Sequence, residues 1–432
     1  MGKKMNTGEY KELMQSGNPQ HLFGGIYPPE EFSRQQKRQI DIIEMFQESF
    51  PDVGIEQLRI FSSPGRTELG GNHTDHNAGR ILAAAVGLDS IAAAVPTDDE
   101  KAVFFSRGFG GPFSLSLDSL EAEADEEGNP ISIVRGIAAY FRDHGYRAGG
   151  FRACIQSNVL PGSGLSSSAS FEVLLGTLFS HFYNNGSISP LEIAKAGQYA
   201  ENNYFGKPCG LMDQVACAYG GVLAVDFGSG GEAAIDRVAY RFADSGYTLF
   251  VVDSGGSHSD LTADYAAVPD EMKAAAAFFD AEVLRSVDEN RFHSAVPELR
   301  KRFGDRVILR ALHFFEDNRR VVSQIECLKK NDIAGYLSLV QSSGSSSWRL
   351  LQNCYPPGES REQGPALALG LTERFLGGTG ACRIHGGGFA GTIQAYIPTS
   401  RSRDYSEYID GIFGAGAALP LSLRERGSIP LL

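Results

Sequence analysis

The chain has 432 residues, 42% of them hydrophobic, and a formal net charge of -13, a length at which two domains and a sizeable core are expected. No apolar run approaches the roughly 20 residues of a membrane span, and the acidic balance argues against a nucleic-acid surface. Six cysteines stand without a CxxC pair, so reduced thiols are expected rather than a zinc site or a disulfide framework.

Met1 to Gln15 is polar, with Lys3 and Lys4 but no following apolar stretch, so no signal peptide is read there and a cytoplasmic protein is expected. Residues 1 to 35 read as an extension without assigned chemistry, and Gln35 to Phe50 has the spacing of an amphipathic helix. Leu58 to Ser62 and Arg80 to Val95 read as strands or buried segments around a polar loop; Ala102 to Ser116 alternates as a hairpin about Gly108 to Gly111. Ile133 to His144, Phe171 to Phe182 and Pro190 to Asn203 have helical spacing, whereas Gly221 to Phe227, Tyr247 to Asp253 and Gly391 to Ile397 are short apolar strands. Between the last two strands, Ala263 to Ala281 and Glu282 to Leu351 are mainly helical, and the texture as a whole is α+β.

Four segments between these elements are dense in groups that suit ligands. Pro161-Gly162-Ser163-Gly164-Leu165-Ser166-Ser167-Ser168-Ala169-Ser170 joins glycines to a serine run and then to a helix, so main-chain N–H groups and hydroxyls can surround an anion. It lacks the lysine of a Walker A loop. Ser63 to Asn77 carries carboxylate, imidazole and amide groups suited to a polyhydroxylated ligand, with metal binding through His73, Asp75 and His76 as the rival. Glu201 to Gln214 brings two acids, Glu201 and Asp213, to either side of a Gly/Pro turn. Arg383-Ile384-His385-Gly386-Gly387-Gly388-Phe389-Ala390-Gly391 is a glycine turn entering a strand. Taken singly, each also fits a plain turn or polar surface loop.

In this order the four segments resemble the GHMP small-molecule kinases, and the galactokinase family most closely, over about residues 45 to 400. Pro161 to Ser170 is similar to the phosphate loop P-x-G-x-G-L-S-S-S-A-S, Pro208 to Gln214 to P-C-G-I-M-D-Q, and Gly386 to Gly391 to G-G-G-F-G-G. The sugar-loop signature reads G-R-x-N-[LIV]-I-G-[DE]-H-x-D-Y. Here Glu68 stands for Asn, Gly70 for Ile, Asn72 for the acid and His76 for Tyr, while Gly65, Arg66, Gly71, His73 and Asp75 match. His258 lies in a segment like the family's N-S-x-x-x-H-x-L.

The resemblance implies a two-domain GHMP kinase fold: an N-terminal mixed sheet with helices, a C-terminal antiparallel sheet with helices, and the active site in the cleft between them. Expected boundaries are an extension over 1–40, an N-terminal domain over 41–214 and a C-terminal domain over 215–432. The implied activity is ATP-dependent phosphorylation of a monosaccharide at its anomeric hydroxyl, by a monomer without nucleic-acid or membrane partners. A non-catalytic sugar and ATP sensor is the alternative. By resemblance, Asp213 would accept the hydroxyl proton, and Arg66 would keep that carboxylate ionised and offset charge on the γ-phosphate. Pro161, Gly162, Ser163, Gly164, Leu165, Ser166, Ser167 and Ser168 would wrap the ATP phosphates, and Ser168 and Glu201 would hold Mg²⁺. Asn72, His73, Asp75 and Tyr265 would contact the sugar. Asn72 is the expected specificity position, favouring a relative of galactose altered near the contacted hydroxyls.

Overall fold

The structure, a computed structural model, describes residues 19–160, 162, 164–228, 233–256 and 261–431. Pro161, Ser163 and His258 therefore lie outside the described residues. Twelve strands are described: β1 (Arg59–Gly70), β2 (Arg80–Pro96), β3 (Lys101–Ser106), β4 (Pro112–Ser116), β5 (Phe151–Ser157), β6 (Val222–Asp226), β7 (Ala234–Val238), β8 (Tyr247–Asp253), β9 (Ala381–Ile384), β10 (Thr392–Pro398), β11 (Ala418–Leu421) and β12 (Ile429–Pro430). Eight form one mixed sheet, ordered β12-β1-β2-β5-β3-β4, with β6 on the first half of β2 and β7 beside β6. Only β3 and β5 pair parallel in it. The other four form an antiparallel sheet, β11-β8-β10-β9.

β2 explains how the first sheet is covered. Its run of alanine, valine, leucine and isoleucine is buried almost throughout, as expected of a strand packed on both faces. Ala92 and Ala94 face a core with Ile137, Leu174 and Leu178 of the Pro130–Asp143 and Ser167–Tyr183 helices. Ile91, Ala93 and Val95 meet Leu22, Phe23, Ile42 and Phe46 instead. This period of two sends alternate side chains to opposite cores. Leu82, Ala84 and Val86 join a third cluster with Val321 of the Asp305–Lys329 helix and Val340 of the Ile333–Ser346 helix.

Two features of the packing bear on the expected boundaries. The extension is not separate from residue 19 onward: Leu22, Phe23 and Ile26 are in the core, and each such burial contributes about 1.5–3 kcal/mol. The Tyr27 hydroxyl donates to Asp89 Oδ2 at 2.5 Å, and Arg38 and Arg424 pair with the same buried carboxylate. The sheets also do not divide at residue 215, because β6, β7 and β12 all belong to the first sheet.

Helix starts follow their sequences. Asn129 and Ser189 each cap a helix that opens with proline, accepting from Ile131 N at 3.1 Å and Glu192 N at 3.2 Å. The Ser167–Tyr183 helix has no side-chain cap, and Ser166 before it is left-handed, with φ 60° and ψ 61°. A helix start without a cap is what an anion site requires, since its first N–H groups need a partner. Among the described residues no helix is long and apolar enough to cross a membrane.

Candidate active site

The site begins where β1 meets the phosphate loop. β1 is bulged between Pro64 and Arg66, and a Cβ on Gly65 would stand 2.7 Å from the Leu165 carbonyl oxygen, so the close approach requires glycine. A main-chain hydrogen bond from Arg66 N to Leu165 O, 3.0 Å, fixes it. From there the Arg66 guanidinium reaches Asp213 in the first turn of the Met212–Tyr219 helix. Nε donates to Oδ1 at 2.7 Å and Nη2 to Oδ2 at 2.9 Å, a bidentate pair. Ser166 Oγ donates to the same carboxylate, and Arg66 Nη1 donates to Gly164 O. Burial pushes the Asp213 carboxyl up, but Arg66 and then Ser166 outweigh it and hold the group below the usual aspartate value. The Asp213 side chain is 31% exposed and that of Arg66 is 8%, so the acid is the accessible member.

Ser168 and Glu201 do come together. Ser168 Oγ lies 3.3 Å from Glu201 Oε1, and Glu201 opens a π-turn, Glu201–Phe205, that ends the Pro190–Ala200 helix. Such turns recur at functional sites. Lys207 Nζ is 3.1 Å from Glu201 Oε1, and Gln214 Nε2 bridges Glu201 Oε2 at 3.2 Å and Glu172 Oε2 at 2.8 Å. Burial, and then the charge of Glu201, pushes the Glu172 carboxyl well above its usual range.

The sugar loop differs from its expected arrangement. Asn72 is wholly buried. Its Nδ2 donates to Gly386 O at 2.7 Å and Glu68 Oε1 at 3.3 Å, while Oδ1 accepts from Asn353 Nδ2 at 2.9 Å and Ser347 Oγ at 3.3 Å. Its main chain is engaged by Asp317 and His313. With both side-chain polar atoms satisfied inside the protein, Asn72 supports the loop in this structure. Glu68, which stands where the signature has Asn, pairs with the buried Arg383 of β9. His73 is also internal: Nε2 meets Gly387 O at 2.9 Å, and burial with His76 nearby pushes its pKa down to about 4.

Asp75 and Tyr265 remain open. The Asp75 side chain is 12% exposed, and its Oδ2 is 2.6 Å from where a Cβ on Gly210 would lie, which places it beside the segment that carries Asp213. The Tyr265 ring lies over the glycine turn, its hydroxyl 1.4 Å from the position of a Gly387 Cβ, so any larger residue there would displace it. Its ring meets that of His73 at 5.5 Å. Surrounding protein, and then the charge of Asp213, pushes the phenol up. Thr67 and Glu68 of β1 bond His385 and Gln394 from the second sheet, so the two sheets join behind the site. Among the described residues no group of three or more His, Cys, Asp or Glu is arranged to hold a metal ion.

Residues 132–221 match the model of the GHMP kinases N terminal domain, and residues 44–96 the galactokinase galactose-binding signature. The chain superposes on Lactococcus lactis galactokinase complexed with galactose with a TM-score of 0.76, at 22% identity, over 89% of this chain and 98% of that one. The chain folds as a GHMP kinase. The Methanococcus jannaschii mevalonate kinase is similar at TM-score 0.59 and 16% identity, over 84% of this chain and 98% of the other. Streptococcus pneumoniae phosphomevalonate kinase is similar at TM-score 0.56 and 12% identity, over 86% and 99%. Within the GHMP kinase fold those of the expected residues that are described gather at the junction of the sheets. Two cavities of about 850 and 700 Å³ lie elsewhere, between the Ile333–Ser346 and Gly364–Leu376 helices, and contain none of them.

Sequence reasoning missed Glu172, Gln214, His385, Arg383 and Lys207. A signal existed for Glu172, which stands one helical turn after Ser168 and so projects on the same side. Lys207 lies inside the segment already singled out. Arg383 and His385 lie inside the glycine-turn segment likewise singled out, but the pairing of Arg383 with Glu68 had no signal, because the two are 315 residues apart in sequence.

Proposed function

We propose that this chain transfers the γ-phosphoryl group of ATP to the anomeric hydroxyl of a monosaccharide. One observation carries the reading: an aspartate held ionised by a bidentate arginine, accessible to solvent, beside an uncapped helix start in a glycine and serine loop. Phosphoryl transfer needs alignment and charge neutralisation more than covalent help from the protein. Asp213 takes the proton of the sugar hydroxyl as its oxygen bonds the γ-phosphorus; the bond from that phosphorus to the β–γ bridging oxygen breaks, and ADP leaves with the electron pair. Arg66 keeps Asp213 ionised and aimed. Three of its five N–H groups donate within the protein, to Asp213 and to Gly164 O, and the remaining two are left for phosphate oxygens.

Ser168 Oγ and Glu201 Oε1, 3.3 Å apart, suit a hard cation that takes oxygen ligands. Few protein ligands are needed, because Mg²⁺ completes its shell with water and phosphate oxygens. Mg²⁺ bound there would neutralise charge on the phosphates. The phosphate loop through Gly162, Gly164, Leu165, Ser166 and Ser167 supplies N–H donors, and Asp75 and Tyr265 supply polar groups to the sugar. Asn72 is not proposed as a specificity residue.

The test is ADP release from ATP against a panel of free sugars, with the product mass and the position of its phosphate determined. We expect one monosaccharide to give ADP and a 1-phosphate in equal amounts. Sugar and ATP binding without ADP release by any sugar would replace this reading with a sensor.

A further inference from the structure

We propose that Lys207 is a phosphate-contacting cation of this site, held on Glu201 until a divalent cation takes that carboxylate, and then turned to the terminal phosphoryl group of the nucleotide. The inference rests on the kinase reading above and adds a residue to it. Lys207 follows Gly206, which ends the π-turn with φ 82°. Its main-chain N–H donates to Glu201 O at 3.0 Å, so the backbone is tied to the metal carboxylate. The side chain is 63% exposed, and Nζ lies 3.1 Å from Glu201 Oε1, the same oxygen that Ser168 Oγ meets at 3.3 Å. The charge of Lys207 also helps to hold the Asp213 carboxyl down. One ammonium thus borders the first turn of the phosphate-loop helix, the metal carboxylate and the base.

Two arguments select it. The site is acidic, with Glu201, Asp213 and Asp75, within a chain of net charge -13; a nucleotide triphosphate adds negative charge that must be met locally. Arg66 offers little surface for this, since its side chain is 8% exposed and three of its five N–H groups are engaged, two of them by Asp213. Lys207 has both charge and exposure. Its pair with Glu201 involves a mostly exposed lysine, so exchanging that carboxylate for a phosphate as the metal binds costs little. A flexible ammonium with rotatable donors suits such an exchange.

Equilibrium binding of ADP and of a non-hydrolysable ATP analogue to the full chain in Mg²⁺ tests this, comparing wild type with Lys207→Met, Lys207→Gln and Lys207→Arg. Thermal unfolding of each variant runs alongside. Both neutral variants are expected to bind the analogue about tenfold more weakly while ADP changes by less than about twofold. They are also expected to reach half-saturation of ADP binding at lower Mg²⁺, because Glu201 has lost a competing cation. Lys207→Arg should restore the analogue. Equal losses for the two nucleotides, or no loss, would overturn the proposal and leave the kinase reading in place. A wild-type chain that binds neither nucleotide would overturn both.

Discussion

Arg66 and Glu68 stand two residues apart on β1, and each pairs with an opposite charge far along the chain, Arg66 with Asp213 and Glu68 with Arg383. In the first pair the carboxylate is 31% exposed and is held below its usual pKa; in the second, both side chains are buried, and burial pushes the Glu68 carboxyl up despite Arg383. The same chemistry therefore gives two different objects. An acid that solvent can reach and an arginine keeps ionised can take a proton from a ligand. An acid enclosed with its arginine ties the two sheets together, because neither charge can be left alone in the interior.

Glu68→Gln gives the largest effect on this contrast. It leaves the Arg383 charge buried without its acid, and about 3–5 kcal/mol of stability should be lost, read by denaturant unfolding. Replacing both members, Glu68→Leu with Arg383→Met, should recover most of that. A single variant losing under about 1 kcal/mol would break the contrast. On the side of the accessible pair, Ser168→Ala and Glu201→Gln should each raise the Mg²⁺ needed for half-maximal nucleotide binding by about threefold or more. Unchanged half-saturation in both would remove the metal assignment.

The internal histidines separate the regions by pH. Burial, and then His76, lowers the pKa of His73 to about 4 in the folded chain, against about 6.5 when unfolded. The unfolded state then binds the extra proton first, so stability should be full above the unfolded value and fall as pH drops toward the folded one. Unfolding free energies between neutral pH and pH of about 5 should show this slope, and it should be shallower in His73→Asn. A parallel slope would mean that the folded and unfolded states bind the His73 proton alike. The smallest expected effect is that of Tyr27→Phe, about 1 kcal/mol from the lost hydrogen bond to Asp89. No change would mean that the Tyr27 hydrogen bond adds nothing to the apolar contacts and the Arg38–Asp89 pair that hold residues 19–40.

Much of this was legible in the sequence where the information is local. The helices at Phe32–Ser49, Pro130–Asp143 and Pro190–Ala200, the β3–β4 hairpin and strands β6, β8 and β10 fall close to where periodicity and turn residues put them. Arg66, Asp213, Ser166, Ser168 and Glu201 are neighbours, as the motifs imply. What was not legible depends on contacts between distant segments. Asn72 reads as a ligand group until Gly386, Asn353 and Ser347 are found to occupy its amide. The docking of Leu22 and Phe23 depends on a free face of β2, which an apolar run does not disclose. The placement of β6 and β7 in the first sheet is a matter of pairing, and pairing partners are not written into a short apolar strand.

The most direct test of the account is Asp213→Asn, measured for turnover with ATP and the preferred sugar and, separately, for nucleotide binding. The amide cannot accept the hydroxyl proton, whereas the phosphate loop is untouched. With Asp213 as the base, kcat is expected to fall ~10²- to 10⁴-fold with nucleotide affinity kept within about threefold. A folded variant that retains more than about a third of wild-type kcat would contradict it, because Asp213 would then not be the base.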